Sequence, residues 1–189
     1  KRLVHYEGEL GIFDYDPEEF VIQNYIGIQY LQYCGKGKSV NLPDGCTNTR
    51  YMFCGCDLKE GFSLGNNFDT SNVTDMSGMF CKCKLHEDFS LGKKFDTSSV
   101  TAMRGMFNEC ILPKGFSLGE YFDTSSVTDM RGMFNECILP KGFSLGEYFN
   151  ISRVEHMENM FRECKYNGID ICEFFQTQND EEIISRLKN

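Results

Sequence analysis

Basic residues, histidine, proline and long apolar runs are all scarce in this chain of 189 residues. Lys and Arg number 19 against 28 Asp and Glu, a formal net charge of −9. A nucleic-acid surface needs a basic stripe to neutralise phosphates. None is visible, so no nucleic-acid partner is expected, and the acidity suits either solubility or a basic protein partner. Only four prolines are present, which excludes collagen, while 41% hydrophobic and 14% aromatic residues suffice for a core and exclude disorder. No apolar run approaches the roughly 20 residues that cross a bilayer, so no membrane span is expected. No charged-then-apolar leader is visible. The chain begins at Lys1 rather than Met, so that absence says little about the compartment.

What the chain has is a period. Shifted by 27 residues, it lies on itself: Phe68-Asp69-Thr70-Ser71-Asn72-Val73 returns at Phe95, at Phe122 and, worn, at Phe149. Met103 to Phe122 is identical to Met130 to Phe149, the mark of an internal duplication. Cys56, Cys83, Cys110, Cys137 and Cys164 form the clearest column, and five units run from about Asn41 to about Phe175. A fixed period of this size predicts a solenoid, because one unit cannot bury its own apolar face and must stack on its neighbours.

Two local shapes follow from the patterning. Gly61-Phe62-Ser63-Leu64-Gly65 alternates, so it reads as a short strand with Phe62 and Leu64 inward. Its copies predict a parallel sheet whose outward ladder is Ser63, Ser90, Ser117 and Ser144, about 5 Å apart. Val127 to Phe134 carries apolar residues at i, i+3, i+6 and i+7, which suits one or two helical turns, α or 3₁₀. Interior Gly132 weakens the α reading. Both ends depart from the repeat, as caps should. Asp16-Pro17 suits a helix opening, or else Phe20-Val21-Ile22 is a β-run in a small cap sheet. Ser39 to Gly45 reads as the first solenoid strand and its turn. Asn179 to Lys188 is a short amphipathic helix, acidic first and basic last, with Ile183, Ile184 and Leu187 covering the final coil. The division is a cap over 1–40, five repeats over 41–175 and a capping helix over 176–189, in one structural domain.

The phrase Phe68 to Phe80 (F-D-T-S-N-V-T-D-M-S-G-M-F), followed by Cys83, resembles the BspA-like leucine-rich repeats of bacterial surface proteins. It recurs at Phe95 and Phe122 and weakly at Phe149, and Leu42-Pro43-Asp44-Gly45 is similar to a strand-turn phrase of the same group. The resemblance implies an α/β, leucine-rich-repeat-like solenoid of short parallel strands and short helical turns. It also implies a cell-surface or secreted location and a role in adhesion or host binding, although other similar proteins have no known role. The units here are 27 residues long and G-F-S-L-G replaces the usual leucine-rich strand. The two ends lie outside the match.

Ten cysteines invite a chemical reading. In leucine-rich repeats a cysteine at the repeated position packs in a buried ladder, and free Cys behaves as a small apolar group. Cys54-Gly55-Cys56 and Cys81-Lys82-Cys83 offer two sharper readings. Four thiolates on stacked coils could hold zinc, although structural zinc favours C-x₂₋₄-C. Cys54 and Cys81 on neighbouring coils could instead form a disulfide. Later units carry Asn108 and Asn135 where the first thiol stood. No metal or other cofactor is expected. His86 and His156 fall at different phases of the repeat and His5 outside it, so no catalytic constellation recurs and no enzyme is expected. The Asp69, Asp96 and Asp123 column reads as Asx turns. Calcium would need denser oxygen ligands.

The binding surface expected from the sequence is therefore the flat outward ladder Ser63, Ser90, Ser117 and Ser144, with Tyr121 and Tyr148 beside Glu120 and Glu147 as contact pairs. The expected partner is a protein or another macromolecule, and a small-molecule substrate is not expected. The alternative is an intracellular, cytoplasmic interaction or inhibitor protein, a nucleic-acid mimic, suggested by the charge and by unpaired thiols.

Overall fold

A computed structural model describes residues 2–4, 13–15, 20–25, 28–33, 37–42, 45–166 and 169–171. The period becomes lateral stacking. Asn48 bridges Asp75, Asp75 bridges Ala102, Ala102 bridges Asp129, and Asp129 bridges His156, every bridge parallel. A second parallel ladder follows the cysteine column. β6 (Asp57–Leu58) pairs with β8 (Lys84–Leu85), and Lys84 bridges Ile111. Ile111 bridges Ile138, and β9 (Ile138–Leu139) pairs with β10 (Lys165–Tyr166). β11 (Ile169–Asp170) folds back antiparallel on β10.

Two antiparallel hairpins precede the stack: β1 (Arg2–Val4) with β2 (Phe13–Tyr15), and β3 (Phe20–Tyr25) with β4 (Ile28–Tyr33). The β reading of Phe20 to Ile22 holds, while the helix opening at Asp16 lies outside the described residues. Tyr33 seats the second hairpin on the first unit. Its amide donates to the Met52 carbonyl at 2.7 Å, and its ring lies 5.5 Å from those of both Phe53 and Phe62. β5 (Ser39–Val40) pairs in parallel with β7 (Ser63–Leu64). Residues 43 and 44 of the expected first turn, and the helix expected over 176–189, lie outside the described residues.

The core is a set of side-chain columns. Phe53, Phe80, Phe107, Phe134 and Phe161 stack nearly flat on one another at centroid spacings of 5.2, 5.5, 5.4 and 5.3 Å, with interplanar angles of 4–6°. Phe62, Phe89 and Phe116 form a second column and Phe68, Phe95 and Phe122 a third. The Val, Met and Cys columns are buried with them. Each ring covers the next unit's ring, so apolar burial is shared across every unit boundary.

Two expectations need correction. The first is the helical turns of Val127 to Phe134. Asp129 lies in a ladder bridge, residues 131–136 are a run of hydrogen-bonded turns, and no helix occupies the stretch. Gly132 has φ 61° and Glu136 φ 57°, left-handed values that interrupt a right-handed helix. The amides of Met133, Asn135 and Cys137 close turns onto Met130, Gly132 and Phe134. The intervening amides of Gly132, Phe134 and Glu136 instead donate across the boundary to Glu158, Met160 and Arg162. Alternate donors thus serve the turn and the stack, which satisfies a buried backbone without a helix.

The second correction concerns the serine ladder. Ser63 lies in a paired strand, but Ser90, Ser117 and Ser144 do not. Gly92, Gly119 and Gly146 take φ of 78°, 85° and 86°, which ends any strand there. The hydroxyls of Ser90, Ser117 and Ser144 accept those glycines' amides at 3.1–3.2 Å. A local side-chain turn has replaced the ladder bond.

Candidate functional site

The turn run that replaces the helix also builds a groove. Three columns line it along the stacking axis: Arg104, Arg131 and Glu158, then Gly78, Gly105, Gly132 and Asn159, then Cys81, Asn108, Asn135 and Arg162. Tyr51 closes the near end. The glycines form the floor. Left-handed φ of 65°, 61° and 61° at Gly78, Gly105 and Gly132 favours glycine there. Gly105 and Gly132 are half-buried, while Gly78 is buried under the Tyr51 ring. The groove holds about 340 Å³ of accessible space and is open to solvent.

One wall is a mixed thiol and amide ladder. Asn135 Nδ2 donates to Asn108 Oδ1 at 2.8 Å, and Asn108 Nδ2 donates to Cys81 Sγ at 3.5 Å. Cys54 neighbours Cys81 on the preceding unit, and the two thiols shift one another's ionisation. Asn135 Oδ1 is buried without a hydrogen-bond partner, an acceptor that a bound donor or water would satisfy. On the other wall, Asp129 holds Arg131 through a paired guanidinium–carboxylate contact, whereas Arg104 is exposed and forms no ion pair among the described residues. Beside the groove, Glu109, Glu136 and Glu163 form an exposed acidic column in which Glu109 meets Lys82 and Glu163 meets Arg162.

Charge and burial divide the cysteines into two kinds. Cys83, Cys110 and Cys137 are buried, and each thiol donates to a carbonyl of the preceding unit: Phe53 at 2.8 Å, Phe80 at 2.6 Å and Phe107 at 2.6 Å. Burial pushes all three thiols well above their ordinary range, so they are inert packing groups. Cys54 and Cys81 are half-buried and not disulfide-bonded. The hydrogen bond from Cys54 draws Cys81 down to about 7, with Asn108 and Lys82 assisting against desolvation and Glu109. Cys54, the donor, is held in its protonated form. Among the described residues no group of three or more His, Cys, Asp or Glu could hold a metal ion.

The residues singled out by sequence are not gathered into one site. Ser63, Ser90, Ser117 and Ser144 are all exposed. Only Ser90, Ser117 and Tyr121 share a shallow cleft, with Lys93 and Glu120. Tyr121 and Tyr148 are 46% and 52% exposed. His86 sits with Glu60, Glu87 and Asp88 in a surface depression, its Nε2 2.9 Å from Asp57 Oδ1, and no nucleophile lines it. His5 lies outside the described residues. The Asx reading holds: Asp69, Asp96 and Asp123 accept the amides of Ser71, Ser98 and Ser125 at 2.8–3.0 Å. Sequence reasoning missed the groove. Its signal was present as the glycine repeating at 78, 105 and 132 inside a would-be helix.

No helix among the described residues is long and apolar enough to cross a membrane. No curated protein matches the chain, and no solved structure does either. One protein family matches residues 47–170, about two thirds of the chain and nearly all of the repeat stack, and through it the chain belongs to DUF285, a Mycoplasma protein family of unknown function.

Proposed function

We propose that the chain is a non-enzymatic binding scaffold, a surface or secreted adhesion module that takes an extended segment of a partner protein in the glycine-floored groove. The supporting observation is the groove itself. It runs across several units and offers, among the described residues, an unsatisfied acceptor at Asn135 and a cation at Arg104 outside any ion pair. An extended chain laid along the groove carries amide donors that could reach Asn135, and an acidic side chain on it would meet Arg104. On this reading the stack is a solenoid of the BspA-like leucine-rich-repeat kind. The partner's affinity then comes from shape and a few anchors rather than total area.

A second reading, an intracellular acidic interaction protein that mimics nucleic acid, draws on the Glu109, Glu136 and Glu163 column. Two of those three acids are ion-paired, which weakens the column's resemblance to a run of phosphates.

The test is binding to immobilised fibronectin and collagen, extended host-matrix proteins. Combined Arg104→Ala, Asn108→Ala and Asn135→Ala should weaken binding roughly tenfold or more, about 1.4 kcal/mol, while Ser90→Ala with Ser117→Ala should not. The opposite pattern moves the partner to the serine cleft. Protease shaving of intact native cells separates the two readings, since only a surface protein is removed.

A further inference from the structure

The groove reading leaves the pair at its near end unused. We propose that Cys54 and Cys81 form a reversible dithiol–disulfide site, with Cys81 the attacking sulfur, Cys54 the resolving sulfur, and a small-molecule disulfide the substrate class.

The backbone sets the geometry. Gly55 donates to the Cys81 carbonyl at 2.8 Å and Phe53 to the Met79 carbonyl at 2.9 Å, so the two cysteines sit side by side on adjacent units. Neighbouring backbones paired in this way lie about 4.7–4.9 Å apart, inside the roughly 4.4–6.8 Å Cα window of a disulfide. Their side chains lie close enough for each thiol to shift the other's ionisation. Both side chains are partly exposed, and Cys81 opens onto the groove. The pair is also singular in its column. One unit further on, the position holds Asn108, which donates to Cys81 and supports a thiolate. The buried cysteine column, by contrast, has its thiols engaged with backbone carbonyls and shut from solvent. Partly exposed thiols supported by donors are the reactive ones, and buried thiols are inert.

The chemistry balances. The Cys81 thiolate attacks one sulfur of the small disulfide, its S–S bond breaks, one small thiolate leaves, and a mixed disulfide forms on Cys81. Cys54 then gives up its proton, to the departed thiolate or to water, and attacks the Cys81 sulfur. The bond to the second small thiolate breaks, and the Cys54–Cys81 bond forms. Two protein thiols lose two electrons, and one disulfide becomes two thiols.

The experiment treats the reduced full chain with glutathione disulfide and maps all ten cysteines by mass after alkylation. The wild type should lose two hydrogens and yield one bridge, Cys54 to Cys81. Cys54→Ser should stop at one glutathionyl group on Cys81. Cys81→Ser should leave Cys54 unmodified over the same time. Circular dichroism of each variant separates loss of reactivity from loss of fold, and Cys54→Ala gives a second form of the trap. The proposal is overturned by a bridge that uses other cysteines or by an adduct on Cys54 in Cys81→Ser. It is equally overturned by a wild type that stays reduced, or by thiols that alkylate only after a chelator is added.

Discussion

Thr97 donates its hydroxyl to the main-chain carbonyl of Asp123 at 2.7 Å, across a unit boundary and from a fully buried side chain. Thr70 makes the same bond to Asp96 at 2.7 Å, and Thr124 to Asn150 at 2.8 Å. These are rungs between units, formed by a side chain that sequence inspection shows only as part of an F-D-T-S phrase. Thr97→Val keeps the shape and removes the donor. It should cost about 1–3 kcal/mol, because the Asp123 carbonyl loses a partner in a buried site. Urea unfolding should show a lower midpoint with an unchanged slope. An unchanged midpoint would mean that water replaces the rung.

Phe107 lies between Phe80 and Phe134 at 5.5 and 5.4 Å and is fully buried. Phe107→Ala should cost about 3–5 kcal/mol. Its place in the middle of the stack gives a second expectation. Units couple mainly to nearest neighbours, so cutting the central coupling should split or broaden the thermal transition. The same change at Phe53, near the first boundary, should leave one transition. Equal broadening in both variants would argue that the stack unfolds as a single body regardless of position.

The groove floor distinguishes strain from collision. At Gly105 a methyl group would meet nothing nearer than Asn108 Cβ at 3.7 Å, so Gly105→Ala carries only the cost of its positive φ, about 1–2 kcal/mol. At Gly78 the methyl group would come within 2.3 and 2.4 Å of the Tyr51 ring. Gly78→Ala must also displace that ring, which adds about 1–3 kcal/mol. The difference in urea midpoints between the two variants measures that displacement, and equal midpoints would show that Tyr51 swings away freely.

The sequence made the columns legible and left the backbone between them ambiguous. The 27-residue period placed Phe, Val, Met and Cys inward because identical residues must stack when each unit is incomplete alone. Handedness at single residues does not leave so plain a mark. The spacing of Val127, Met130, Met133 and Phe134 satisfies a helical face, yet a left-handed Gly132 and Glu136 turn the same spacing into alternating turns. Gly132, the sixth residue of that stretch, could have signalled this, but Glu136 could not, since nothing in its side chain demands a positive φ. The serine ladder failed for a related reason. Alternation in G-F-S-L-G reports which side chains point inward, and Phe116 and Leu118 are indeed buried, but it cannot say whether Ser117 keeps Gly119's amide for itself. Within the candidate site, the Cys54 and Cys81 relation was legible from spacing. Its asymmetry was not, because that depends on Asn108 standing one unit further along.

That asymmetry predicts a pH profile. Cys81 is faced by the Cys54 thiol and Asn108 amide, both donors, by Lys82, and by Glu109, which opposes ionisation. Its alkylation by iodoacetamide should rise with pH around a midpoint near 7, against about 8.5 for an ordinary thiol. At neutral pH the gain in thiolate is partly offset by lower intrinsic nucleophilicity, so the net rate advantage is roughly threefold rather than the full ratio of thiolate fractions. Cys54→Ala removes the first donor, and the midpoint should move up, because a thiolate that loses a hydrogen bond is less stable relative to its thiol. Cys54→Ser restores a donor at the same place and should hold the midpoint low. If alanine and serine give the same profile, Cys54 does not act through its hydrogen bond. The lowering would then rest on Asn108 and Lys82, and Asn108→Ala becomes the variant that raises the midpoint.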